Sequence, residues 1–127
     1  MAHLMDITVF IVDDDEAVRD SLCLLVETHD MQAEAFVSTE DFVLAFRPRP
    51  SQCLLLDQHL QGGKTGLGFL GSPDWVAMRM PVILMTGRGD DEIKARAHAA
   101  GVAAYLDKPI DADRLIAAIE RAVGLAD

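Results

Sequence analysis

Positive charge is what this 127-residue sequence has least of: eleven Lys and Arg stand against twenty-one Asp and Glu, a formal net charge of −10. Nucleic acids and anionic membranes are held by clustered cations, so this balance argues against either as a partner of the chain by itself. Cysteine is scarce too. Cys23 and Cys53 lie inside apolar runs without metal-ligand spacing. They read as small buried hydrophobes in a reducing cytosol rather than a disulfide or redox pair. The longest apolar stretches are far too short to span a bilayer, and the start lacks the basic and apolar regions of a signal peptide. The expected address is cytoplasmic. No repeat, linker or low-complexity segment divides the chain, and its length suits one domain over residues 1–127.

Half of the residues are apolar, enough to build a core without disulfides or metal staples. Three short apolar runs end abruptly in polar residues: 7–12 before Asp13-Asp14, 53–56 before Asp57, and 82–85 before Thr86. A weaker run, 102–106, precedes Asp107-Lys108-Pro109, and 32–37 is a further candidate strand. Continuous Val/Ile/Leu runs of this length suit strands buried on both faces of a parallel sheet. Helical patterns lie between them. Val18, Leu22, Leu25 and Val26 mark one helical face, and Ser38 is placed to cap a helix carrying Phe42, Val43 and Phe46. The stretch 90–100 is helical, with Gly101 as its C′ residue, and Asp111 opens a last helix through Val123. In 66–80, three glycines weaken helix formation, and Ser72-Pro73 reads as a fresh N-cap and N1. Strict alternation of strand and helix predicts an α/β fold. The leading choice is a flavodoxin-like, doubly wound, five-stranded parallel sheet of order 2-1-3-4-5.

Ligands of such sheets bind beyond the carboxyl ends of the strands. Asp13, Asp14, Asp57, Thr86 and Lys108 all fall there and are expected to converge. Two carboxylates about 4 Å apart repel by ~4 kcal/mol at an effective dielectric near 20, so three of them need a cation or must hold protons. Oxygen ligands without His or Cys point to Mg²⁺. Lys108 can add a point charge toward a phosphoryl oxygen and Thr86 a hydroxyl, which completes the parts of a phosphoryl-transfer site. A carboxylate is a suitable nucleophile for that step.

The stretches Val12-Asp13-Asp14-Asp15, Leu54-Leu55-Leu56-Asp57, Leu84-Met85-Thr86-Gly87 and Tyr105-Leu106-Asp107-Lys108-Pro109 resemble the signature motifs of two-component response regulator receiver domains, in order and over essentially the whole chain. The stretch 85–90 is most similar to the FixJ-type subfamily. The resemblance implies a regulatory phosphoacceptor rather than an enzyme, with Asp57 accepting the phosphoryl group from a sensor histidine kinase. It implies Mg²⁺ held by Asp13, Asp14, Asp57 and the backbone carbonyl of His59, with Asp14 the more direct of the acidic pair. Thr86 and Lys108 would contact the phosphoryl group, and Thr86 and Tyr105 would be a switch pair. The switch would act on the face formed by 90–100, 102–106 and 111–124, a candidate surface for a phosphorylation-dependent homodimer. His59 and Arg88 could tune dephosphorylation or be solvated loop side chains. A cis Lys108–Pro109 bond is expected from the same resemblance. No effector domain is expected within the chain, which is read either as a stand-alone receiver or as part of a longer regulator, in this subfamily typically one with a helix-turn-helix domain.

One stretch departs from the family. Receivers commonly carry Met-Pro after the phosphoacceptor, but here Gln61 replaces Pro and Gly66 arrives one residue late. The loop 61–65 is therefore expected to be more mobile than the other active-site loops and the following helix short or interrupted. Rival readings remain at this point. Gly63-Lys64-Thr65 suggests a P-loop, but Gln58 stands where its first glycine belongs. A haloacid-dehalogenase-type phosphatase would make Asp13 the nucleophile and leave Asp57 without a task. A binding module with an inactive acceptor is the third. Trp75 reads as a packing anchor. Asp15 and Glu16 read as first-turn helix charges, and His3, His29 and His98 as surface or helix-end residues.

Overall fold

The structure, a computed structural model, describes residues 6–87 and 89–124. His3 and Arg88 lie outside the described residues. Five parallel strands, β1 (Ile7–Val12), β2 (Gln32–Phe36), β3 (Ser51–Asp57), β4 (Val82–Thr86) and β5 (Ala104–Asp107), form one sheet of order β2-β1-β3-β4-β5. Among the described residues six α-helices accompany them: α1 (Glu16–Thr28), α2 (Thr39–Ala45), α3 (Gly66–Leu70), α4 (Pro73–Met78), α5 (Asp91–Ala99) and α6 (Ala112–Ala122). The expected fold and strand order are observed.

The period-2 alternation of the strands separates two cores. Ile7, Val9, Ile11, Cys53, Leu55, Ile83 and Met85 face one side, where Leu22 and Val26 of α1 and Leu115 and Ile119 of α6 cover them. Phe10, Val12, Leu54, Leu56, Val82 and Leu84 face the other, under Phe42, Leu67, Leu70 and Ala97. Every residue of β1 and β4 is buried, which is why these strands read as unbroken apolar runs rather than alternating ones. The edge strand β2 is only partly buried, and it was the least distinct run in the sequence. Cys53 is fully buried, whereas Cys23 on α1 is half-buried. Trp75 is half-buried and packs on Phe69 at a centroid distance of 5.9 Å, as an anchor for α4.

The helix starts follow the capping residues. Ser38 accepts from Asp41 N, and Ser72 accepts from Trp75 N with Pro73 at N1. Asp15 is more than a first-turn charge: it is the N-cap of α1, its carboxylate accepting from the amides of Ala17 and Val18. Asp90, expected inside its helix, is the cap of α5 and accepts from Ile93 N. Asp111 stands at the N-cap of α6 but makes no side-chain capping bond. The last strand begins two residues later than its apolar run. Gly101 N bonds His98 O and Val102 N bonds Ala97 O. That Schellman ending of α5 takes up Val102 before pairing can begin.

Candidate functional site

The parallel strands deliver Asp13, Asp57, Thr86 and Lys108 to the same end of the sheet, as expected. Asp13 follows β1 directly and is fully buried, while Asp57 ends β3 at 4 % exposure and Thr86 ends β4 at 0 %. Asp14, one residue further out, is half-exposed. Carboxylate oxygens of Asp13, Asp14 and Asp57 all lie within 4.8 Å of one another. Lys108 reaches in from beyond β5. Its Nζ donates to Asp13 Oδ2 at 2.8 Å and stands 3.4 Å from Asp57 Oδ1. The Lys108 backbone N–H donates to the Thr86 carbonyl at 2.8 Å, which ties the lysine to the strand that carries the hydroxyl. The Lys108–Pro109 peptide is cis.

The second Asp13 oxygen accepts from Asp15 N at 2.9 Å, and Arg19 donates to the Asp13 carbonyl at 2.8 Å. Asp13 is thus held by its own turn and by α1. Burial, reinforced by the charge of Asp13, pushes the Asp57 carboxyl above its usual range, against the pull of Lys108 and the His59 N–H. Burial would lower the Lys108 ammonium. Its hydrogen bond to Asp13 and the charges of Asp57 and Asp13 outweigh that and raise it. One ammonium cannot neutralise three carboxylates. The donor set is all oxygen and hard, two of its three members are buried, and the cluster suits a small divalent cation such as Mg²⁺.

The loop after Asp57 explains how the departure from the family pattern is absorbed. Gln61–Gly63 forms a single 3₁₀ turn in which Gly62 (φ 71°) and Gly63 (φ 74°) adopt the left-handed conformation that favours glycine. Leu60 N bonds Lys64 O, and His59 bridges Thr65, so the segment closes as a small hairpin. Gly66 then meets the strand end. Its N–H donates to Gln58 O at 2.9 Å, and a Cβ there would stand 2.7 Å from the Asp57 carbonyl oxygen. The late glycine still provides the close approach. The following helix is interrupted at Gly71-Ser72, giving α3 and α4.

Gln58 is the residue that sequence reasoning passed over. It is 3 % exposed, its N–H donates to Met85 O at 2.8 Å, and its side-chain oxygen accepts from Leu67 N at 2.9 Å. A polar residue directly after a buried strand was the available signal. The His59 side chain is exposed, and its N–H is 3.4 Å from Asp57 Oδ1. Tyr105 is half-buried and packs on the second core. Lys64 of the rejected phosphate-loop motif is exposed and pairs with Glu40.

Residues 9–120 match the family model of the response regulator receiver domain. The chain belongs to that family. The receiver is 34% identical over 116 residues to the transcriptional regulatory protein FixJ of Azorhizobium caulinodans, covering 91% of this chain and 54% of that protein. Among solved structures it resembles FixJ-N, with 30% identity, a TM-score of 0.79 and coverage of 96% of this chain and 97% of that one. The response regulator StyR superposes with a TM-score of 0.83 at 32% identity, over 94% of this chain and 60% of that one. The receiver spans about half the length of the curated relatives it matches. It is a FixJ-like receiver domain of a two-component response regulator, and the haloacid-dehalogenase-type phosphatase reading does not survive the family match. Among the described residues no helix is long and apolar enough to cross a membrane.

Proposed function

We propose that this receiver accepts a phosphoryl group on Asp57 from the phosphohistidine of a sensor kinase, with Mg²⁺ bound, and relays the change to a partner surface. The observation that carries the reading is the single ammonium of Lys108 set between the buried carboxylates of Asp13 and Asp57. An Asp57 oxygen attacks phosphorus as the bond from phosphorus to the imidazole nitrogen breaks, and the imidazole leaves with that electron pair. Lys108 holds an incoming phosphoryl oxygen by charge, and the Thr86 hydroxyl donates to another. Asp13, Asp14, Asp57 and the His59 carbonyl are the residues that would hold the ion. When bound, Mg²⁺ supplies charge neutralisation of the phosphoryl oxygens and of the carboxylates around them.

The receiver is a regulatory acceptor, and its only catalysis is its own phosphorylation and dephosphorylation. His59 and Arg88, two positions beyond Asp57 and Thr86, tune the lifetime of the phosphoryl group. The receiver acts in the cytoplasm, and its output surface is α5, β5 and α6, as a homodimer or partner face. Incubation with acetyl phosphate, with and without Mg²⁺, followed by mass mapping tests the acceptor. A Mg²⁺-dependent mass increase on Asp57 supports the reading; a shift on Asp13, or none in any condition, overturns it.

A further inference from the structure

The chain has one tyrosine, and its hydroxyl stands at a point where a glycine has left room. Tyr105 pairs with Leu84 in the β4–β5 register and Thr86 with Asp107, so Tyr105 and Thr86 are diagonal neighbours. Both face the α2–α5 side: Leu84, two residues before Thr86, and Tyr105 itself pack in that core, while Ala104 and Leu106 pack in the other. Gly89 lies against both. A Cβ built on it would stand 1.7 Å from the Tyr105 hydroxyl oxygen, 3.0 Å from its Cζ and 2.8 Å from Thr86 Cγ2. Unstrained contacts between heavy atoms need roughly 3.5–4.0 Å. No side chain fits there while both neighbours keep their positions. The positions of the Tyr105 hydroxyl and the Thr86 methyl alone exclude a larger residue at this point. Space is therefore what the glycine provides.

Thr86 is fixed. It is fully buried, lies on β4 and is paired with β5, so it cannot yield to a methyl group on Gly89. Tyr105 can. It is half-buried, and turning about χ1 takes its ring outward. Burial, with Asp107 and Asp90 near, also pushes its phenol above the ordinary range, in keeping with a hydroxyl held against the loop. We infer that Gly89 is a positioning residue of the switch, its missing side chain being the space that lets the Tyr105 ring stand inward beside Thr86. This rests on the phosphoacceptor reading for its consequence: without the inward ring, phosphorylation of Asp57 proceeds but the α5–β5–α6 face does not respond.

The test uses the protein labelled with 3-fluorotyrosine, which gives one fluorine signal. Gly89→Ala should move that signal in the resting protein toward the position of a solvent-exposed tyrosine and raise its relaxation by a soluble paramagnetic agent. The signal's response to Mg²⁺ and beryllofluoride should be lost, while acetyl phosphate still labels Asp57 at the wild-type rate. Two further changes remove the two closest atoms: Tyr105→Phe takes away the oxygen, and Thr86→Ser takes away the methyl but keeps the hydroxyl. Added to Gly89→Ala, they should restore the beryllofluoride response of the α5 amide shifts. A wild-type fluorine signal in Gly89→Ala, or a triple variant that stays unresponsive, overturns the inference. Should Gly89→Ala alone fail to fold, a folded and responsive triple variant supports the inference and an unfolded one overturns it. The resting signal reads the gate even where Asp57 takes no label, and in that event it is the phosphoacceptor reading that fails.

Discussion

Asp57 sits in a conflict that Lys108 only partly relieves. Its carboxylate is buried beside Asp13, and the ammonium lies nearer to Asp13 than to Asp57. A carboxyl whose pKa is higher in the fold than in the unfolded chain binds more protons when folded. Stability then falls as pH rises from the unfolded value toward the folded one, and stays lower above it. Asp57→Asn removes that penalty. In chelator at neutral pH the variant should melt at a higher temperature than the wild type, and the gain should disappear below the ordinary carboxyl value of 3.8. The same variant should take no label from acetyl phosphate, because an amide is a poor nucleophile. Equal melting temperatures at neutral pH would remove the electrostatic account. Lys108 has the opposite sign. Its raised pKa contributes stability that is fully present below its ordinary value of 10.5 and is lost as pH rises through the folded value. Lys108→Ala should therefore cost about 1.5–3 kcal/mol at neutral pH, as the loss of a hydrogen bond between charged groups. Mg²⁺ binding, followed by titration calorimetry, should persist because the carboxylates remain.

At the scale of elements, the strand ends were legible because burial on both faces writes itself as an apolar run that stops where the sheet stops. Asp13, Asp57 and Thr86 were recognisable by that alone, and Lys108 by its place after the fourth run. The loop 58–66 was not, since its shape depends on partners distant in sequence. Gln58 hangs on Met85 of β4, and Gly66 packs on the carbonyl of Asp57. Neither contact leaves a periodicity. For the same reason Gly89 reads as ordinary loop glycine until Tyr105 is seen against it. The structure ranks these loop residues by cost. Gln58→Leu leaves the Leu67 N–H without its acceptor, a loss of about 1–3 kcal/mol for a buried donor. Gly66→Ala forces α3 away from β3 and should cost about as much, as overpacking does. Gly62→Asn keeps the left-handed turn at a smaller cost, and a Cβ there meets nothing within 4 Å. Urea denaturation should place the first two variants together and both below Gly62→Asn. A Gly66→Ala protein as stable as the wild type would show that the helix start does not bear on the acceptor strand.

For the molecule as a whole, the acceptor end and the core are expected to open as one cooperative unit, and Cys53 reports on it. The thiol lies on the central strand β3, fully buried among Val9, Ile83 and their neighbours, and burial pushes it up to about 12. Only the thiolate reacts with alkylating agents, so Cys53 must reach water before it can be modified. Leaving the middle of a five-stranded sheet requires the sheet to open, which is global unfolding rather than local fraying. Cys23, half-buried on α1, serves as the internal control and should react first. Ligands that bind only the folded state stabilise it by mass action, ~2.7 kcal/mol at a hundredfold excess over the dissociation constant. Mg²⁺ with beryllofluoride should thus slow Cys53 alkylation by about a hundredfold at such an excess, provided reclosing outpaces reaction. Cys23 should be slowed much less, since part of its exposure needs no unfolding. In Asp57→Asn the beryllofluoride effect on Cys53 should vanish while its slow baseline remains. Equal reaction rates of the two cysteines in the native protein would mean that β3 opens locally, and the acceptor at its end would then not be anchored to the core.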